Sequence, residues 1–186
     1  MVHYITAHLV GATVCLCGPD RLRAEKFTQP RKEKKMHNEF FEILKKDHEG
    51  VKGILEQLKE TKESASKKRE TLFQKLTEEL VPHMKAEEKT FYQPLKAKKE
   101  AREDAMEGLE EHHVAEMVFK ELQKMQKGEE HWGAKLSVFK ELVEHHIDEE
   151  ENTIFESAEK ALGHDEMQNI MKQFEQEKQK IKKNLK

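Results

Sequence analysis

From Phe41 onward the apolar positions of this chain recur at steps of three and four. Phe41, Leu44, Val51, Leu55 and Leu58 fall on one face of a helix, and His48 sits on the same stripe. The second stripe runs Leu72, Leu76, Leu80, His83, Glu87, Phe91. The third runs Leu109, His112, Ala115, Phe119, Leu122, and the fourth Phe139, Val143, His146, Glu150, Ile154. Glu63 to Ser66, Pro94 with the basic run Lys96 to Lys99, and Gly128 read as the turns between them, and the fourth helix is expected to end near Gly163. Pro82 lies inside the second stripe and removes a backbone donor, which predicts a kink just before His83. Trp132 is expected to cap one end of the core. Past Gly163, the residues Met167, Ile170, Met171, Phe174 and Ile181 mark a shorter amphipathic helix laid against the rest. The predicted fold class is therefore all-α: an up-down four-helix bundle over 36–163 with a C-terminal amphipathic helix over 164–186.

The stripes repeat. His48 to His83 is 35 residues and His112 to His146 is 34. After His48 the apolar residues Val51, Ile54, Leu55 and Leu58 fall at the offsets that Ala115, Val118, Phe119 and Leu122 occupy after His112. The chain reads as two copies of a helical hairpin, each supplying one histidine and then a His-x-x-x-Glu. On a helix, residues four apart share a face, so His83 with Glu87 and His146 with Glu150 can each aim an imidazole and a carboxylate at one point.

Composition agrees with helices whose outer faces are solvated: 38% of residues are charged, 35% are hydrophobic, and there are only 8 Gly and 4 Pro. The strand signature of clustered β-branched and aromatic residues is missing. Residues 1–35 carry 7 Lys/Arg against 3 Asp/Glu, leaving 27 against 34 from Met36 onward. An acidic body without a basic stripe argues against nucleic acid as a partner. No apolar run approaches the roughly 20 residues needed to span a bilayer. Cys15 and Cys17 are the only cysteines, too close for an unstrained disulfide, so the body suits a reducing cytoplasm. Residues 1–35 do not resemble the rest of the chain. They read as a poorly ordered extension or translated leader, with a short targeting or membrane-associating segment as the rival reading.

Histidine and glutamate on an apolar stripe are unusual, because an unpaired buried charge costs several kcal/mol. All four helices place a histidine there, and two add a glutamate one turn later. A metal that neutralises the carboxylates and accepts the imidazole nitrogens removes the difficulty. The candidate metal ligands are His48, His83, Glu87, His112, His146 and Glu150. Register favours His112 over His113 and His146 over His145. Glu88, Glu149 and Glu151 are expected to be surface charges, Glu116 is a candidate further ligand, and His3, His8, His37, His131 and His164 fit no shared stripe and read as surface.

The segments DHEGVKGILEQL, HMKAEEKTFYQPL, EEHHVAEMVFKEL and HHIDEEENTIF resemble, in order, spacing and flanking residues, the hemerythrin-like HHE cation-binding domain, over about Met36 to Gly163. The resemblance implies a bundle holding a non-haem di-iron centre, two iron ions that bind O2 or a related small ligand. It also implies that His48, His83, His112 and His146 are terminal ligands, with Glu87 and Glu150 bridging or capping the irons. The chain departs from the oxygen-carrying hemerythrins of animals, which have His-x-x-x-His on the third helix and an Asp five residues after the fourth-helix histidine. Here the third helix reads His112 then Glu116 and the fourth uses Glu150, and fewer imidazoles with more carboxylate favour the ferric state.

The expectation is thus a cytoplasmic, non-haem di-iron protein that binds O2 or a similar small ligand, in oxygen or iron sensing, storage or stress protection. A di-iron enzyme acting on peroxide, O2 or nitric oxide is the first alternative, and a metal-free helical interaction scaffold the second. A ferritin-like arrangement is weaker, since it wants two Glu-x-x-His motifs. No organic-substrate acid, base or nucleophile stands outside the candidate metal shell, and no particular protein partner or reductant is indicated.

Overall fold

The computed structural model describes residues 30–185. Cys15, Cys17, His3, His8 and the side chain of His37 lie outside the described residues, as does most of the expected N-terminal extension. Helix α1 (Pro30–Lys59) begins ahead of Met36, with proline at its first residue, where no backbone donor is required. A 3₁₀ turn at Glu63–Ala65 leads into α2, which spans 66–96 as an α segment (Ser66–Glu87), a π turn (Glu88–Tyr92) and a second α segment (Gln93–Lys96). After a 3₁₀ turn at Lys99–Ala101 come α3 (Arg102–Lys124) and α4, which spans 130–161 with a π turn of its own at Glu150–Ile154. The last helix is α5 (His164–Asn184). Among the described residues there is no strand, and no helix is long and apolar enough to cross a membrane.

Short connections make successive helices antiparallel neighbours. The first four pack α1 on α2, α2 on α3, α3 on α4 and α4 back on α1, and α5 lies across α1 and α2. The sequence stripes become the inner faces of this bundle. They do not form one continuous apolar core. Phe40, Phe41, Leu44, Phe91, Tyr92, Ile154, Phe155 and the α5 residues Met167, Ile170 and Phe174 make one apolar cluster. Val51, Leu55, Phe73, Leu76, Phe119, Trp132 and Phe139 belong to the other. Between them, at mid-height on all four helices, lie His48, His83, Glu87, His112, His146 and Glu150, all buried.

The second helix runs on through the buried Pro82 and carries a π turn further along, at Glu88–Tyr92. One proline expectation is corrected: Pro94 does not end that helix. It sits in the first turn of the segment after the π turn, where a missing N–H leaves no gap, and the chain turns only after Lys96. The π turns also alter the buried pattern. Each places two consecutive apolar residues inside, Phe91 with Tyr92 and Ile154 with Phe155, where a regular α period would bury one.

Trp132 is wholly buried in the second cluster. Its indole N–H donates to the Leu122 carbonyl at 3.2 Å, its ring meets Phe73 edge-on, and the Arg69 guanidinium lies 5.0 Å from its centroid. Trp132→Ala is expected to lower the unfolding free energy by about 3–5 kcal/mol in urea titration, since the neighbouring aromatic rings cannot close over so large a void.

Candidate metal centre

Each of the four helices brings one histidine to the polar layer, and the two interrupted helices add a glutamate where their π turns begin. The inward-facing nitrogens are all Nε2. His83 Nε2 lies 3.1 Å from Glu87 Oε2, and His112 Nε2 lies 3.7 Å from the same oxygen. His48 Nε2 lies 3.2 Å from Glu150 Oε2, and His146 Nε2 lies 4.0 Å from it. His112 and His146 face each other, Nε2 to Nε2, at 2.9 Å. Donor atoms of His48, His83, Glu87 and Glu150 lie within 4.8 Å of one another, as do those of Glu87, His112 and His146. All six residues singled out from the stripes therefore converge.

The outward-facing nitrogens face carboxylates as well, from residues the pattern did not single out. His83 Nδ1 meets Asp47 Oδ2 at 3.1 Å, and His146 Nδ1 meets Glu111 Oε2 at 2.8 Å. His48 Nδ1 meets Glu151 Oε1 at 2.8 Å, and His112 Nδ1 lies 3.5 Å from Glu88 Oε1. The arrangement obeys the hairpin repeat. In each copy the acid just before the first histidine serves the second histidine, and the acid just after the inner glutamate serves the other copy's first histidine. Glu88 and Glu151 are thus not free surface charges, because their helices turn them back along the bundle wall onto an imidazole. A carboxylate on Nδ1 selects the tautomer with its proton on that side and leaves the Nε2 lone pair facing inward. The sequence did carry a signal for these four: an acid stands beside a stripe residue at equivalent places in both repeats.

Tyr92, in the first π turn, completes the interior. Its hydroxyl donates to Glu150 Oε1 at 2.9 Å, and its ring packs against His112 at 5.3 Å. Gly108 lies beneath it, and a Cβ there would come within 2.8 Å of the tyrosine ring.

Other candidates stay outside. Glu116 pairs with Lys85 and Lys120, and His113 and His131 are exposed. His145 is exposed and faces Glu111 and Glu149 on the outer wall. His164, expected at the surface, is half-buried at the start of α5, where Gln168 approaches its Nε2 at 3.2 Å.

Burial dominates the electrostatics. It raises the Glu87 pKa well above the carboxylate range, with Glu150 beside it adding to the effect. Burial opposes ionisation of Glu150 too, but the hydrogen bond and charge of His48, then the charges of His146 and His83, outweigh it and hold that carboxyl low. His83 and His112 are pushed down to about 4, first by burial and then by His48 and His146 respectively. His48 moves up, because Glu150 and Glu151 outweigh its burial.

The residues fit a bound cation. His48 Nε2, both oxygens of Glu87 and Glu150 Oε2, toward the middle of the layer, are buried without a hydrogen-bond partner, and so is His112 Nδ1 on the outer side. Unpartnered groups of this kind are costly in an apolar interior. A cation accepting their lone pairs removes that cost, and mixed imidazole and carboxylate donors suit first-row transition metals.

Comparison with known proteins agrees with this geometry. The family described as Hemerythrin HHE cation binding domain matches residues 39–158, and the chain belongs to that family. The crystal structure of a hemerythrin HHE cation-binding domain-containing protein from Mycobacterium kansasii superposes with a TM-score of 0.67 at 23% identity. The match covers 77% of this chain and 87% of that one. No curated protein matches the chain by sequence. The matched family segment ends before α5.

In the metal-free chain, His83 and His112 bind a proton less readily folded than unfolded. Their contribution to stability is complete above pH 6.5, the ordinary histidine value, and is lost as pH falls towards about 4. His48, shifted up, works in the opposite sense. Urea unfolding of metal-free protein should show a smaller loss between pH 7 and pH 5 in His112→Gln than in the wild type, by roughly 2 kcal/mol.

Proposed function

We propose that this protein is a non-haem di-iron protein in which His48, His83, His112 and His146 would be terminal ligands and Glu87 and Glu150 would bridge or cap the irons. Such a pair would supply redox-active binding of O2 or a related small ligand. The carrying observation is the set of buried, unpartnered donor atoms, in two overlapping groups that share Glu87. A metal-free scaffold gives those atoms no role. A chain whose body lacks cysteine suits a cytoplasmic setting.

The residues around the layer support a small ligand. A cavity of about 20 Å³ borders the four histidines and is otherwise walled by Val51, Leu80, Met84, Ala115, Val143 and Ile147. That is room for roughly one water-sized molecule. Leu80 and Met84 also line a larger cavity of about 150 Å³ on the outer side of α2 and α3. The small size and apolar walls of the inner cavity suit a diatomic rather than a bulkier ligand. The outer carboxylates orient the imidazoles, and Tyr92 holds Glu150 by its outer oxygen, so the ligand set is preorganised.

The second reading, a di-iron enzyme acting on peroxide, O2 or nitric oxide, is favoured by Tyr92, a buried phenol whose O–H donates a hydrogen bond to Glu150 at the edge of the donor set. Steady-state turnover with peroxide and a reductant separates the two readings.

Aerobically purified protein is expected to hold close to two irons per chain with near-ultraviolet bands of a bridged ferric pair. The His83→Ala/His146→Ala variant should lose both while keeping its helical circular dichroism. Absence of stoichiometric metal after anaerobic iron loading, with an unchanged fold in the variant, would leave the scaffold reading instead. Met84→Phe, which adds bulk to the wall that the two cavities share, should leave iron content unchanged and slow the optical response of the ferric protein to azide.

A further inference from the structure

The hairpin repeat makes the two halves of the centre equivalent in ligands, and α5 breaks that equivalence. Asp47 on His83 and Glu111 on His146 are counterparts, but their surroundings differ. Lys178 of α5 ion-pairs with Asp47 through Oδ2, the same oxygen that meets His83 Nδ1. Phe174, one turn earlier on α5, is fully buried and places its ring 5.9 Å from that of His83, edge to face. Lys178 and Asp47 are themselves largely shielded, with side chains 15% and 18% exposed. Glu111 instead faces the exposed His145 and has no lysine partner among the ion pairs of the described residues. The donors differ in the same direction: four atoms gather around the His48–His83 half, three around the His112–His146 half.

We propose that Lys178 is a positioning residue for His83: by fixing Asp47 Oδ2 it keeps the His83 ring in place with its Nε2 inward, so that metal is held longest in the half formed by His48, His83, Glu87 and Glu150. This rests on the two-metal reading. A carboxylate that has lost its lysine is free to rotate into water, and His83 then loses the partner that sets its tautomer. Removing an outer partner of a metal-bound histidine typically weakens metal binding by about 10–100-fold. The element responsible lies beyond the family-matched segment, so the device belongs to this chain's C-terminal helix rather than to the repeat.

The full chain, loaded anaerobically with iron(II), is mixed with a chromogenic iron(II) chelator and release is followed optically. Wild-type protein is expected to release iron in a fast and a slow phase. Lys178→Met should accelerate the slow phase about 10-fold or more, and Lys178→Arg should restore it. Lys182→Met removes the α5 ion pair with Glu79, away from the centre, and should leave both phases unchanged. An unchanged slow phase in Lys178→Met, or equal acceleration by Lys178→Met and Lys182→Met, would overturn the proposal, the latter by making docking of α5 the cause. If the wild-type chain binds no iron, the two-metal reading fails on its own account. The positioning role is then decided in the metal-free chain by ¹⁵N NMR of His83: a single Nδ1–H tautomer in wild type and Lys178→Arg but a mixture in Lys178→Met supports it, and identical spectra refute it.

Discussion

The structure depends on one constraint: four imidazoles and two carboxylates share a layer through the centre of an otherwise apolar bundle. Glu87 and Glu150 have no solvent exposure at all, and two carboxylates so close cannot both ionise cheaply without a cation between them. Side-chain hydrogen bonds relieve the outer edge of the layer at His48, His83 and His146, whose Nδ1 atoms meet carboxylates. They do not relieve its middle. The chain carries a local demand for positive charge that its own residues leave unmet, and this is the physical basis for reading the layer as a metal centre.

The two apolar clusters above and below hold that layer in register. Each helix contributes core residues on both sides of its histidine, so a histidine cannot slide toward solvent without dragging bulky side chains out of place. The π turns do related work. By starting at Glu88 and Glu150 they add one residue per turn where the inner glutamates sit, which brings Tyr92 inside to reach Glu150 and packs Phe155 onto Phe41 in a stacked pair at 4.2 Å. Gly108 leaves the space that Tyr92 occupies. Departures from regular helix at a functional layer are common, and here they recur at equivalent places in the two hairpins.

The same repeat explains why the centre resembles a two-fold object, and α5 explains why it is not one. A helix laid on only α1 and α2 can reach only one of the two equivalent corners. Its Phe174 and Lys178 close the His83 corner with an aromatic ring and a cation. The His146 corner remains nearer to solvent. Asymmetry of this kind arises from adding a single element to a symmetric core, with no change in the ligands themselves.

Much of this was present in the sequence because the relevant periods are short. Apolar spacing defined the helices, and His48, His83, Glu87, His112, His146 and Glu150 stood out because polar residues interrupted apolar stripes at matching places. Residues three and four apart on a helix must share a face, so local spacing alone brings each His–Glu pair to one side. The partners of those residues were decided by the tertiary structure. Asp47, Glu88, Glu111 and Glu151 stand at equivalent places in the two repeats, but nothing along the chain says which histidine each one meets. Only helix packing turns each across to a histidine on a neighbouring helix. Pro94 reads as a turn until a preceding π turn makes it the start of a new helical segment. Lys178 is 131 residues from Asp47, and no local pattern links them. Local periodicity determines which face a side chain occupies; what stands opposite that face is set by how the helices pack.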